Sequence, residues 1–270
     1  MKKLSENKFL KEKVVLITGG GSGFGREMAK VFAAKGADLV LNDINMEGLE
    51  DTKELVLQEN DVKILLVKAD ISKSAEVKEM AKKIFETFDN TFVLINNAGI
   101  TGGAYKSLSA SEETYDKVMG VNVKGAWNVT KAFFRKMKSQ RHFIPVRAKI
   151  INIASTAGTS HGMNPMLGCY SASKATLIAF TKLWALELAQ VDITVNSISP
   201  GVFLTPIYDN DPVKIKQFLE SRNVKVPIDR IGESKWVAEL ALFIASPQAD
   251  YITAQNFIID GGLTASINKL

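Results

Sequence analysis

VVLITGGGSGFG, residues 14 to 25, runs an apolar stretch directly into a glycine-rich turn. Val14 to Thr18 is apolar or β-branched at successive positions, the pattern of a strand buried on both faces. The turn after it carries Gly19, Gly23 and Gly25. Glycine lets the backbone turn sharply and approach a ligand with no Cβ in the way, and a helix opening at Phe24 points its first amides at a phosphate. The spacing G-x-x-x-G-x-G differs from the commoner dinucleotide fingerprint G-x-G-x-x-G, so a glycine-rich turn without a ligand is the alternative. No Gly-Lys-Ser/Thr ending follows, which argues against a kinase or ATPase.

Outward from this unit the same alternation repeats. Residues 38–42, 62–68, 92–96, 149–154 and 193–198 read as strands, and residues 24–35, 46–58 and 74–88, one long segment from 112 to 137, and the segment carrying YSASK (170–174) read as helices. Near-continuous apolar strands separated by helices predict βαβ units and a parallel sheet covered on both faces. The expected fold is α/β, a doubly wound parallel sheet in a three-layer Rossmann-type sandwich. With 270 residues and no low-complexity boundary, a single domain over 1–270 is predicted. In such sheets ligands bind beyond the carboxyl ends of the strands.

Composition narrows the function classes. The only cysteine, Cys169, excludes an intrachain disulfide and a cysteine metal cluster and agrees with a reducing compartment. Two histidines, His142 and His161, are too few for a histidine metal site, so no metal is expected. The N-terminal MKKLSENKFLKEK is basic without an apolar core, and no run reaches membrane-span length; a cytoplasmic protein without membrane partners is the expectation. The net charge of +5 is spread along the chain apart from residues 131–149. There the basic residues mix with apolar ones at helical spacing, which reads as a solvated helix and loop and not as a nucleic-acid surface.

The turns after the strands carry the chemistry. Asp43, ending the second strand, stands where a carboxylate accepts hydrogen bonds from an adenosine ribose and repels a 2′-phosphate. With no Lys or Arg among residues 19–25 or just after Asp43, the reading is NAD(H) and not NADP(H); an ordinary turn-forming Asp is the alternative. Asp70 caps the next helix or accepts from the adenine amino group. NNAG, 96–99, offers two amides to bond backbone across strand ends, with small Ala98 and Gly99 leaving room for a flat ligand. In YSASK, Tyr170 and Lys174 are at i and i+4 on one helix face. A phenol holds its proton to a pKa of about 10, and a neighbouring ammonium favours the phenolate.

With these motifs in this order, the sequence resembles the short-chain dehydrogenase/reductase family, in its compact single-domain branch, over nearly the whole chain. Further matches are Asn122 in VMGVNVKG, Ser155 in INIASTAG, Pro200 and Gly201 in SISPGVFLTP, and Asp260, Gly261 and Gly262 in IIDGG. The resemblance implies an NAD-dependent oxidoreductase that interconverts a secondary alcohol and a ketone. By resemblance Tyr170 is the general acid/base and Lys174 lowers its pKa and binds the nicotinamide ribose. Ser155 holds the substrate oxygen, and Asn122 supports a water through which protons reach solvent. The implied cofactor contacts are Gly19, Ser22, Gly23, Phe24, Gly25, Asp43, Asp70, Ile71, Asn97, Ala98, Gly99, Tyr170, Lys174, Pro200, Gly201, Val202 and Thr205. Ser171, Ala172 and Ser173 are expected to leave their helix face open to cofactor, and a homotetramer is implied.

The substrate pocket is expected between residues 100–105, the loop after Ser155 and a lid at about 203–226, with Met163, Met166, Phe203, Leu204, Ile207 and Tyr208 as an apolar wall or, alternatively, ordinary packing. A moderately hydrophobic alcohol or ketone is preferred, with diols and acyl thioesters open. The 15 residues from Ser155 to Tyr170 exceed the family's usual interval, and the stretch before the fifth strand is also expanded. His161 reads as a loop residue and Cys169 as a space-filler. The alternatives are a non-catalytic dinucleotide sensor, for which the second half of the motifs is superfluous, and epimerisation or dehydration, whose enzymes usually carry an extended C-terminal domain.

Overall fold

Parallel strands cannot be joined by tight turns; each needs a crossover, and here helices supply it. The computed structural model describes residues 8–143, 145–160, 165–205, 211–220 and 225–266. The strands are β1 (Val14–Thr18), β2 (Asp38–Asp43), β3 (Ile64–Lys68), β4 (Val93–Asn96), β5 (Ala148–Ile153), β6 (Ile193–Pro200) and β7 (Asn256–Ile259). They form one sheet in the order β3-β2-β1-β4-β5-β6-β7, with every pair parallel. The helices are α1 (Gly23–Ala33), α2 (Met46–Leu57), α3 (Ser74–Thr87), α4 (Glu112–Met119), α5 (Ala126–Ser139), α6 (Gly168–Leu188), α7 (Pro212–Glu220), α8 (Ser234–Ala245) and the short α9 (Leu263–Ser266). The doubly wound single domain is as the alternation predicts, and α7, α8, β7 and α9 extend it past the last strand read from the sequence.

The period-2 alternation of each strand feeds two cores. Val15, Ile17, Leu39 and Leu41 pack with α1, α2 and α8, whereas Val14, Leu16, Val40 and Leu94 pack with α3, α5 and α6. Strand order reverses between β1 and β4, which opens a crevice at the carboxyl ends of the strands.

The predicted helix over 112–137 differs in one respect. Between α4 and α5 the chain widens into a π turn, Gly120–Gly125, which carries Asn122. Single π turns inside helices often mark functional sites. Packing explains this one: a Cβ on Gly125 would lie 2.7 Å from the Ile71 side chain, and the Asn122 amide is drawn to the main chain of Ile100.

At the opposite end of the sheet, Lys149 of β5 is fully buried. Its Nζ donates to the carbonyls of Ser246 (2.7 Å) and Ile244 (3.2 Å) at the end of α8 and pairs with Asp250 at 2.7 Å, an ionic contact not aligned as a hydrogen bond. Burial lowers its pKa and Asp250 opposes that shift. Removing one member of a buried pair strands the other charge, so Lys149→Met is expected to cost about 3 kcal/mol in urea unfolding, and Lys149→Met with Asp250→Asn less. Equal stability of Lys149→Met and the parent would contradict this anchoring.

Candidate active site

The glycine turn is tied to the β4 turn by contacts that admit no side chain. A Cβ on Gly25 would lie 2.0 Å from the Gly19 carbonyl oxygen and 2.9 Å from Asn97 Nδ2. Asn97 Nδ2 donates to the carbonyls of Thr18 (2.9 Å) and Gly19 (3.1 Å), and Thr18 Oγ1 accepts from the amides of Asn97 and Ala98. Of the two NNAG amides, only Asn97 bonds backbone. Asn96 is buried and donates to side chains, Asn152 Oδ1 at 2.8 Å and Thr130 Oγ1 at 3.0 Å, because its strand position turns it into the helix layer.

Three features fit a dinucleotide. Ser22 opens α1 in an extended conformation with no side-chain cap bond, so the first-turn amides around Gly23, Phe24 and Gly25 have no partner from the cap side chain, as an anion requires. Asp43 follows at the end of β2, accepting from Gly21 N–H through Oδ2 and from Asn45 N–H through Oδ1, both at 3.1 Å, with lone pairs left on each oxygen. The third is the small-residue passage at Ala98 and Gly99.

Asp70 makes a local turn: Oδ1 accepts from the Ser72 amide and hydroxyl, and Glu76 of α3 reaches back to the Asp70 amide. It therefore shapes the entry to α3 without capping the helix amides itself. Burial raises its pKa, but the Ser72 bonds and the Lys73 charge outweigh burial and hold the carboxyl below its ordinary value. Ile71 is buried and its carbonyl accepts from Asn128, so its side chain belongs to the core.

The second half of the site converges on α6. Lys174 is buried, and its Nζ donates to the Ile153 carbonyl at 2.8 Å and stands 5.8 Å from the centroid of the Tyr170 ring. A Cβ on Gly99 would lie 3.1 Å from that Nζ and 3.3 Å from Asn122 Oδ1, so Gly99, Asn122 and Lys174 meet at one point. Asn122 Oδ1 accepts from Ile100 N–H at 2.8 Å, while Nδ2 donates to Ile100 O and Ser173 Oγ, both at 2.9 Å. Ser155 follows β5, and its Oγ accepts from Ala157 N–H at 3.1 Å, which leaves the hydroxyl proton for another acceptor. Beyond β6, Gly201 donates to Ile259 O, Val202 O accepts from Gly232 N–H, and Thr205 is buried.

Some expectations are corrected. Ser171 and Ser173 do not face an open cofactor surface: both are buried, and Ser173 Oγ donates to Tyr170 O while accepting from Asn122, which links Asn122 to the first turn of α6. Only Ala172 of the three is exposed. For Phe203 the alternative of ordinary packing holds: it is buried in the core, edge-on against Phe24 at 5.5 Å. Tyr105 packs against Gly168, where a Cβ would lie 2.4 Å from its ring, and its amide bonds Met166 O, so it clamps the β4 loop to the start of α6. Met166 and Leu204 are partly exposed, whereas Met163, His161, Ile207 and Tyr208 lie outside the described residues.

Burial lowers Lys174 from the ordinary lysine value to about 8. The sign follows from linkage: below about pH 8 the folded chain carries a buried charge that the unfolded chain keeps in water. That cost, about 3 kcal/mol, fades as the pH rises toward the unfolded lysine value. Lys174→Met is expected to weaken turnover and cofactor binding yet raise apoprotein stability at pH 7 by about 1 kcal/mol, the orphaned Ile153 carbonyl offsetting the rest. Thermal melts at pH 7 and near 10 check this, and a destabilised Lys174→Met at pH 7 would contradict it.

The family model described as enoyl-(acyl carrier protein) reductase matches residues 19–264. A 3-oxoacyl-[acyl-carrier-protein] reductase of Thermotoga maritima is 37% identical, the match covering 94% of this chain and 98% of that protein. Among solved structures, levodione reductase superposes with a TM-score of 0.86 at 31% identity, over 95% of this chain and 99% of that one. A 3-ketoacyl-(acyl-carrier-protein) reductase from Brucella melitensis, complexed with NADH, does so with a TM-score of 0.82 at 33% identity, over 94% and 99%.

Proposed function

The chain belongs to the short-chain dehydrogenase/reductase family, and from that premise we propose that it uses NAD(H), in preference to NADP(H), to interconvert a moderately hydrophobic secondary alcohol and its ketone, acyl thioesters included. That it is an oxidoreductase of a nicotinamide dinucleotide follows from the family and from relatives that are reductases by name, which disfavours a sensor without turnover. The coenzyme preference rests on one observation: the β2 carboxylate of Asp43 hydrogen-bonds to the glycine turn through Gly21. A specific feature favours the other coenzyme, since Lys68 of β3 lies in register with Asp43 and would be the cation a 2′-phosphate recruits.

In the proposed mechanism the bound nicotinamide supplies hydride chemistry, and the protein supplies position and protons. Ser155 donates a hydrogen bond from its hydroxyl to the substrate oxygen and keeps its proton. Tyr170 gives a proton to that oxygen on reduction and takes it on oxidation, while the ammonium of Lys174 favours the phenolate. Asn122, held by Ile100 and Ser173, keeps the proton route in place. Gly19, Ser22 to Gly25, Asn97 to Gly99, Pro200, Gly201, Val202 and Thr205 form the cofactor bed, with Asp70 and Ile71 at the adenine end.

The segment over 203–226 acts as a lid. Its start is supported by Leu204 N–H to Gly232 O and Gly232 N–H to Val202 O, bonds that tie residues 202–204 to the chain just beyond the segment. A homotetramer is supported by outward apolar side chains on α5 and α6, Trp127, Leu183 and Leu186. The single buried thiol suits the cytoplasm, and among the described residues no helix is long and apolar enough to cross a membrane.

Tyr170→Phe is expected to lower turnover by about 10²-fold or more, the scale of general acid/base catalysis, while NADH binding measured by fluorescence persists; undiminished turnover would remove the acid/base role. Asp43→Ala is expected to narrow the ratio of kcat/KM for NADH over NADPH by about tenfold, the scale of one charge-assisted hydrogen bond. An unchanged ratio would contradict the ribose assignment.

A further inference from the structure

One cation sits beside the glycine turn, at a position the coenzyme reading leaves without a role. Arg26 follows the last glycine and lies on α1. Its Nη2 donates to the Gly21 carbonyl at 2.8 Å and lies 3.4 Å from Gly48 O and 3.5 Å from Asp51 Oδ2, and its Nε donates to Thr52 Oγ1 at 3.0 Å. Thr52, fully buried, in turn donates to Gly48 O at 2.9 Å. The first turn of α2 is pressed onto the same peptide, since a Cβ on Gly48 would lie 2.9 Å from Gly21 O.

The peptide groups of Gly21 are thus gripped from both sides. The amide goes to the Asp43 carboxylate and the carbonyl to the Arg26 guanidinium. Bonds with an ionised partner are shorter and stronger than neutral ones, and the forked guanidinium fixes several acceptors at once, which a lysine ammonium does not. Resting on the coenzyme reading above, we infer that Arg26 is a specificity-determining and positioning residue. It sets the Gly21 turn so that Asp43 faces the adenosine ribose, and it is held by Thr52, Gly48 and Asp51 away from a 2′-phosphate. The glycine turn, the ribose carboxylate and the start of α2 form one unit with the guanidinium at its centre. Selection against NADP(H) then has two parts, the negative charge of Asp43 and the engagement of the cation beside it.

The test is the dissociation constant of NADH and of NADPH, by fluorescence titration, for the parent, Arg26→Met, Arg26→Lys and Thr52→Val, together with kcat and KM for each coenzyme. Arg26→Met is expected to raise the NADH constant by about tenfold and the NADPH constant by less than about threefold, with the larger change in KM and not in kcat. Arg26→Lys is expected to stay closer to Arg26→Met than to the parent, and Thr52→Val to shift the ratio the same way by a smaller factor. Thr52→Val keeps the shape of the buried site and carries the test if Arg26→Met does not fold. Preferential loss of NADPH binding in Arg26→Met would show the guanidinium on the 2′-phosphate and overturn the inference. Unchanged constants, or equal rises for both coenzymes, would overturn it as well. A parent that prefers NADPH would refute the coenzyme reading by itself, while the direction of the Arg26→Met shift still decides the role of Arg26.

Discussion

The burial of the Lys174 ammonium is the constraint around which the site is arranged. A lysine taken out of water favours its neutral form, and here its Nζ donates to the Ile153 carbonyl. The sheet supplies that carbonyl at the end of β5, Gly99 leaves the space beside it, and the π turn brings Asn122 to the same point. An unstable charge held by a stable sheet is the usual form of a functional group built at the expense of stability. Tyr170, one helical turn before Lys174, shares its face of α6 and comes under the same field.

The turns after β1 and β4 are organised by close backbone approach, with the Asp43 carboxylate and the Arg26 guanidinium gripping Gly21 beside them. Gly25 against Gly19, and Asn97 across both, fuse the turns after β1 and β4 at the point where strand order reverses. A crevice with rigid walls and few side chains in its floor lets a flat ligand lie against main chain. The two halves meet at Gly99, which belongs to the β4 turn and lies against Lys174 of α6 and Asn122.

Much of this was legible in the sequence because it depends on local signals. The strands are short apolar runs, the glycine turn and Asp43 follow strands directly, and Tyr170 and Lys174 are one turn apart. What escaped depends on contacts between distant segments. The π turn adds no break in apolar spacing, so residues 112 to 137 read as one helix. Around YSASK the residues are small on all sides, so no periodicity shows that Ser171 and Ser173 turn inward and Ala172 outward. No local signal marks Arg26, because its partners Thr52 and Gly48 lie more than twenty residues on.

NAD(H)-linked turnover at this site is directly measurable. The most direct measurement follows nicotinamide absorbance in the purified protein, with NADH and NADPH separately, against a panel of ketones, diketones and 3-oxoacyl thioesters and against the matching alcohols in reverse. NADH is expected to be oxidised by at least one ketone class, with a higher kcat/KM than NADPH. Tight NADH binding without turnover across the panel, or turnover confined to NADPH, would contradict it.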